Sequence, residues 1–143
     1  MELAKIVEMW DKDCKIDETE LGSESTKIPQ IHNKYMKVYI GERAAYFKMQ
    51  SELKQMRRKL IEYYLGELDR EELAQFGREQ FYKKLLKNEV DTYIESDSEM
   101  IEKVLKVSMQ GEKINYLEAI LKSLNNRGYN IKNALDWLKF TSG

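Results

Sequence analysis

A single proline, Pro29, stands among 143 residues, and this scarcity constrains the fold more than any other feature. Proline removes a backbone donor and clashes with the preceding turn, so a chain almost without it contains almost nothing that forbids helix. Leu, Lys, Glu, Gln, Met and Ala, which fill about half of the remaining positions, are good helix formers. The expectation is an all-α protein forming a single domain over 1–143, with two long helices, short flanking helices and a helical hairpin at its C-terminal end.

Glycines and capping residues set the boundaries. Leu3, Ile6, Val7 and Trp10 recur at i, i+3, i+4 and i+7, so a first short helix is expected from Glu2 to about Lys12. Residues 13–27 include Gly22, Ser23, Ser25 and Thr26 among many acids, and read as a mostly extended connection. Pro29 suits the first turn of the next helix. That helix should run to Leu65, about 55 Å at 1.5 Å per residue, and stop at Gly66. Asp69-Arg70-Glu71-Glu72 then looks like a capped start of a short helix through Phe76, ended by Gly77. Residues 78–95 are helical or irregular. Ser96 with Glu99 has the spacing of a capping box, which opens a second long helix from about Asp97 to Asn126. Its seam is Ile114, Leu117, Leu121 and Leu124. A turn at Gly128 would fold a last amphipathic helix back as a hairpin within 97–140.

Charge is segregated along this scaffold. Residues 34–59 carry eight cations (Lys34, Lys37, Arg43, Lys48, Lys54, Arg57, Arg58, Lys59) against Glu42 and Glu52, a net of +6 in a chain whose total is −1. A polyanion responds to the local field of one helix face and not to the average charge. The apolar positions of the same stretch, Tyr35, Tyr39, Tyr46, Met49, Leu53, Met56, Leu60 and Tyr63, approximate a heptad seam. One side of the helix therefore needs a packing partner, and the other needs solvent or a polyanion. Tyr64, one residue off the seam, is the tyrosine best placed to stack on a base.

Several function classes find no support. One cysteine, Cys14, and one histidine, His32, cannot assemble the usual zinc ligand sets or a disulfide framework. Cys14 reads as a buried or half-buried bystander, and His32 as a packing or capping imidazole. No Gly-rich phosphate loop, no G-x-S-x-G and no paired carboxylates beside the basic cluster point to catalysis, so neither an enzyme nor a cofactor is expected. Apolar runs fall well short of the roughly 20 residues of a membrane span, and the start of the chain lacks the features of a signal peptide. A soluble cytoplasmic protein is expected.

Three stretches together carry a family likeness: Ile28-Pro-Gln-Ile-His-Asn-Lys-Tyr35, the basic run Arg57-Arg58-Lys59-Leu60-Ile61-Glu62-Tyr63-Tyr64-Leu65-Gly66, and Ser123-Leu-Asn-Asn-Arg127-Gly128-Tyr-Asn-Ile-Lys132-Asn-Ala-Leu-Asp-Trp137-Leu-Lys-Phe140. In this order and spacing, over nearly the whole length, the chain resembles the UvsY family of recombination mediators of T-even-like bacteriophages. The resemblance implies an all-helical protein acting in the host cytoplasm. It would form a homo-oligomeric ring of roughly six to eight subunits, bind single-stranded DNA, and load the phage recombinase onto strands covered by the phage single-strand-binding protein.

The family's DNA-binding pattern resembles Lys-Ala-Arg-Leu-Asp-Tyr-Tyr. Arg58 falls on its lysine, whereas Leu60 falls on its arginine, with Arg57 and Lys59 offered instead. The expected DNA-binding residues are Arg57, Arg58, Lys59, Lys54, Tyr64 and Lys48. Ile131, Leu135, Trp137, Leu138 and Phe140 are the expected oligomerisation residues. The acids Asp11, Asp13, Asp17, Glu18, Glu20 and Glu24 form a candidate surface for basic protein partners, or a solvating segment. A competing reading is a helical scaffold whose basic helix pairs with an acidic protein and never touches nucleic acid.

Overall fold

The computed structural model describes residues 1–143 and contains five helices and no strand: α1 (Leu3–Asp13), α2 (Leu21–Tyr64), α3 (Arg70–Phe76), α4 (Val90–Glu95) and α5 (Ser98–Thr141). The all-α expectation holds. The helices divide between two compact units, one made of 1–45 with 111–143 and the other of 46–110.

The discontinuous unit is built on an apolar cluster of Ile6, Tyr35, Leu117, Ile120, Leu121 and Leu124. Ile6 faces inward and Leu3, Val7 and Trp10 are half-buried, as the i, i+3, i+4, i+7 spacing of α1 requires. After α1 the Asp17 carboxylate accepts bonds from the Thr19 amide and hydroxyl at 3.0 and 2.6 Å, a side-chain turn that competes with helix. The extended connection is confined to 14–20, because α2 begins at Leu21 and not near Pro29.

Pro29 therefore lies inside the helix and leaves the Ser25 carbonyl without its amide partner, a loss that costs about 3 kcal/mol in a helix interior. The buried stripe explains why helix persists. Leu21 and Glu24 are buried, Ile28 and Ile31 are half-buried, and Tyr35 is fully buried. These positions follow one another at three- and four-residue intervals, so the core-facing side continues through the proline. Gly22, Ser23, Ser25 and Thr26 lie on the exposed side, and local composition loses to tertiary packing.

A similar reason overturns the C-terminal hairpin. Helix α5 continues through Gly128 to Thr141. Leu117, Leu121, Leu124, Arg127 and Ile131 are all buried, one stripe at helical intervals on both sides of the glycine. Gly128 costs about 1 kcal/mol relative to alanine, less than the burial it would interrupt. The Arg127 guanidinium donates to the Asp13 carbonyl at 2.6 Å and lies 5.7 Å over the Trp10 ring. The Asp13 carboxylate accepts from Lys34 at 2.6 Å and from the Tyr35 hydroxyl at 2.7 Å. Burial alone would raise that carboxyl, but these bonds outweigh it and hold it below its usual range. Asp13 and Glu24, which forms an ion pair with Lys27 at 3.5 Å, are thus engaged within the chain. Cys14, expected to be at least half-buried, is exposed.

The contiguous unit surrounds the last turns of α2. Leu60, Tyr63, Tyr64, Leu68, Leu85, Val90, Ile94 and Met100 form its core. Gly66 adopts φ +74°, and the Glu67 amide reaches back to the Glu62 carbonyl at 2.9 Å, a left-handed helix end that glycine permits. Asp69 and Glu72 form the reciprocal capping box at the start of α3. The long helix α5 starts from Asp97, whose Oδ1 accepts from the amides of Glu99 and Met100 at 3.0 and 3.1 Å. Ser96, the expected cap, instead donates to the Thr92 carbonyl at the end of α4. Residues 78–89 between α3 and α4 are irregular.

Candidate nucleic-acid interface

The last turns of α2 place the basic cluster. Leu60 is 0% exposed and fixes the phase of this segment, and residues on either side fan out around it at about 100° per residue. Arg57 turns toward α4 and bonds Asp91 at 2.8 Å. Lys59 turns toward α3, 3.6 Å from Glu72. Arg58 points away from the core with its side chain 86% exposed, and its only carboxylate neighbour is Glu62 at 3.7 Å, one turn on. Three consecutive cations thus face three directions, and Arg58 alone lies mostly in solvent.

Lys54, one turn before Arg58 on the same face, is exposed, and Lys48 is exposed further up the helix. The outward side of α2 therefore presents Lys48, Lys54 and Arg58, with Arg57 and Lys59 held in pairs at its flanks. Surface ion pairs of this kind are worth about 0–1 kcal/mol, so a phosphate could recruit either flanking cation at small cost. Position 60, where the family arginine would fall, is a core position here.

Tyr64, the expected stacking residue, presents no open ring face in the structure. It is buried against Phe81, Tyr63 and Tyr93, with ring centroids 4.9, 5.0 and 5.7 Å away, and its hydroxyl donates to Asp97 at 2.6 Å. Burial first, then that bond, pushes its phenol up to about 12. Sequence placed it off the seam, but α2 is surrounded on two sides at its end, so adjacent residues are both inside.

Asp97 is the centre of the polar network beneath. Arg78 grips it with two bonds of 2.7 and 3.0 Å and also approaches Glu99 at 3.4 Å. Burial would raise the Asp97 carboxyl, but the bonds from Arg78, Tyr64 and the Met100 amide outweigh it and bring it to about 2. Arg78 is raised in return, chiefly by its bonds to Asp97. This network fixes the start of the irregular segment, on which sequence reasoning placed no functional residue. Lys83, Lys84 and Lys87 within residues 80–88, with no acid among them, were the available signal.

The end of α5 separates the expected oligomerisation residues. Ile131 is 2% exposed and belongs to the interior of its own chain. Leu135 and Leu138 prolong the same stripe but are exposed, and Trp137 and Phe140 are more exposed still. The Trp137 and Phe140 rings lie 5.9 Å apart and only 28° from parallel. At about 100° per residue, Trp137 and Phe140 lie on the side of the helix away from Leu135 and Leu138, so the last turns expose apolar side chains on two faces.

Comparison with known proteins agrees with this architecture. The family described as "Recombination, repair and ssDNA binding protein UvsY" matches residues 9–143. Crystal structures of the bacteriophage T4 recombination mediator protein UvsY share the fold. Lattice type II gives a TM-score of 0.85 at 22% identity, covering 100% of this chain and 99% of that one. Lattice type IV gives 0.84 at 21% identity, covering 98% and 99%. Lattice type III gives 0.69 at 20% identity, covering 100% of both chains. No curated protein sequence matches.

Proposed function

Because the chain belongs to the UvsY family of recombination, repair and single-stranded DNA-binding proteins, we propose that it engages DNA through the outward side of α2 and acts as a recombination mediator. Lys48, Lys54 and Arg58 form the first line of contact, and Arg57 and Lys59 join when phosphate displaces Asp91 and Glu72. The exposure of Arg58, one turn from Lys54 on a helix whose opposite side is core, carries this reading. Contacts to phosphates alone make binding indifferent to sequence and steeply dependent on salt.

One subunit offers only a small cationic face, so affinity comes from repetition. Leu135, Leu138, Trp137 and Phe140 mediate self-association into a ring, and several copies of the face then engage one strand with high effective concentration. Such an assembly bends or wraps the strand, weakens the hold of a covering single-strand-binding protein, and favours nucleation of a recombinase filament. The mechanism is linkage and not covalent chemistry: the mediator shifts the population of DNA states by its differential affinity for them. It operates in the cytoplasm of the infected host.

Fluorescence anisotropy of a labelled oligothymidylate over a salt series tests the assignment. The double variant K54Q/R58Q should bind more weakly and lower the log–log salt slope by about 0.7 for each phosphate no longer neutralised, with an unchanged unfolding transition. Unchanged affinity would remove these residues from the interface. A wild-type protein that ignores DNA even at low salt would favour the scaffold with an acidic protein partner.

A further inference from the structure

We propose that the irregular segment 78–89 is a second contact for single-stranded nucleic acid, in which Tyr82 stacks on a base while Lys83, Lys84 and Lys87 neutralise flanking phosphates. The inference rests on the DNA-binding reading above and adds to it a base-contacting element beside the end of α2, where Tyr63 and Tyr64 are buried.

The segment is anchored at several points along its length. Arg78 is clamped on Asp97, and the Tyr63 hydroxyl donates to the Glu79 carbonyl at 3.0 Å. Phe81 packs on Tyr64 and Tyr93 at 4.9 and 5.4 Å, and Leu85 is buried. The residues between these anchors have no such role in the fold. Tyr82 is 86% exposed, although its ring touches Phe81 at 4.9 Å, so it is braced at one side and open at its face. A braced aromatic ring loses little freedom when a base stacks on it, and every base presents a π-face to such a platform.

The lysines supply the complementary charge. Within 80–88 they are three cations with no acid in a chain of net −1. Lys84 and Lys87 are exposed and form no ion pair, and Lys83 lies 3.4 Å from the Tyr93 hydroxyl. The segment is also joined to the end of α2 at two places. It departs from Phe81 on Tyr63 and Tyr64 and returns at Asp91 on Arg57. Those anchor points are roughly 10 Å apart along α2, and Arg58 lies in the interval they enclose.

Two labelled strands of equal length, oligothymidylate and its abasic counterpart, carry the same phosphates and differ only in base faces. Y82A should weaken binding of oligothymidylate by about fivefold to a hundredfold, leave the abasic strand at wild-type affinity, and be rescued by Y82F. K84Q/K87Q should weaken both strands alike and reduce the salt slope by about 1.4. Unchanged oligothymidylate affinity in Y82A, or an equal loss on both strands, would overturn the stacking role. If wild-type protein binds neither strand, the DNA-binding reading itself falls. If wild type binds and K54Q/R58Q weakens it while Y82A and K84Q/K87Q do not, only this second contact is overturned.

Discussion

Replacing Asp97 should damage the contiguous unit more than any exposed substitution. Its side chain accepts from both terminal nitrogens of Arg78, from the Tyr64 hydroxyl and from the amides of Glu99 and Met100. Alanine would remove a helix cap worth about 1 kcal/mol and strand a largely buried guanidinium, a loss of about 3–5 kcal/mol when no other partner is at hand. Glu99, 3.4 Å from Arg78, recovers part of the second loss, so D97A should cost about 3–4 kcal/mol. D97N keeps an acceptor for the amides but loses the charge and the Oδ2 acceptor used by Arg78 and Tyr64, so it removes the titration while retaining the cap.

The charge also has a pH signature. The Asp97 carboxyl titrates at about 2 in the fold against 3.8 when free, so the unfolded chain binds the proton more readily. The resulting stabilisation, about 2 kcal/mol at 1.36 kcal/mol per unit, is complete above about pH 4 and is lost as pH falls toward 2. Urea unfolding followed by hydrogen exchange at the amides of Met100–Val107 reports this unit. Both tryptophans, Trp10 and Trp137, belong to the other one. The wild type should lose stability between about pH 4 and 2.5 more steeply than D97N. Parallel pH profiles for the two proteins, or a D97A cost below about 1 kcal/mol, would refute the argument.

Other expectations follow from single contacts. L135E/L138E should reduce the molar mass in light scattering without unfolding the protein, since both side chains are exposed; an unchanged mass would place self-association elsewhere. R127A should cost about 2–4 kcal/mol in thermal or urea unfolding by emptying a buried site. R127M should cost markedly less, because Arg127 Nη1 has no hydrogen-bond partner; equal losses would give the guanidinium a larger share. G66A should cost about 1–2 kcal/mol, because φ is +74° and the new Cβ would lie 3.1 Å from Gln80 Nε2; a neutral result in the same assay would contradict the helix-end account.

Boundaries set by backbone geometry were legible in the sequence. Gly66 and Gly77 end helices in the left-handed conformation, and Asp69 with Glu72 opens one, because these signals act within a few residues. Pro29 and Gly128 misled for the opposite reason: their local cost of about 1–3 kcal/mol is outweighed by a buried stripe whose partners are distant in sequence. The seam from Tyr35 to Tyr63 was readable as periodicity, and each of its residues is at least half-buried. What periodicity could not supply was the second wall around the end of α2. That wall buries Tyr64 and supplies Asp91 and Glu72, which hold Arg57 and Lys59 and leave Arg58 open. Likewise Ile131 is apolar and near the end of α5, yet only packing against the chain's own interior separates it from Leu135 and Leu138.

The division into a contiguous and a discontinuous unit also orders biosynthesis. Residues 46–110 contain all of one unit, whereas the other needs 111–143 to meet 1–45. At about 5–20 residues per second, a ribosome finishes synthesising residue 110 about 2–7 seconds before residue 143, so the contiguous unit is fully encoded in the chain before the other unit's second segment exists. The apolar residues at Leu135–Phe140 are part of that second segment. In the function proposed above, the surface proposed for self-association is thus synthesised after the helix end proposed to face DNA.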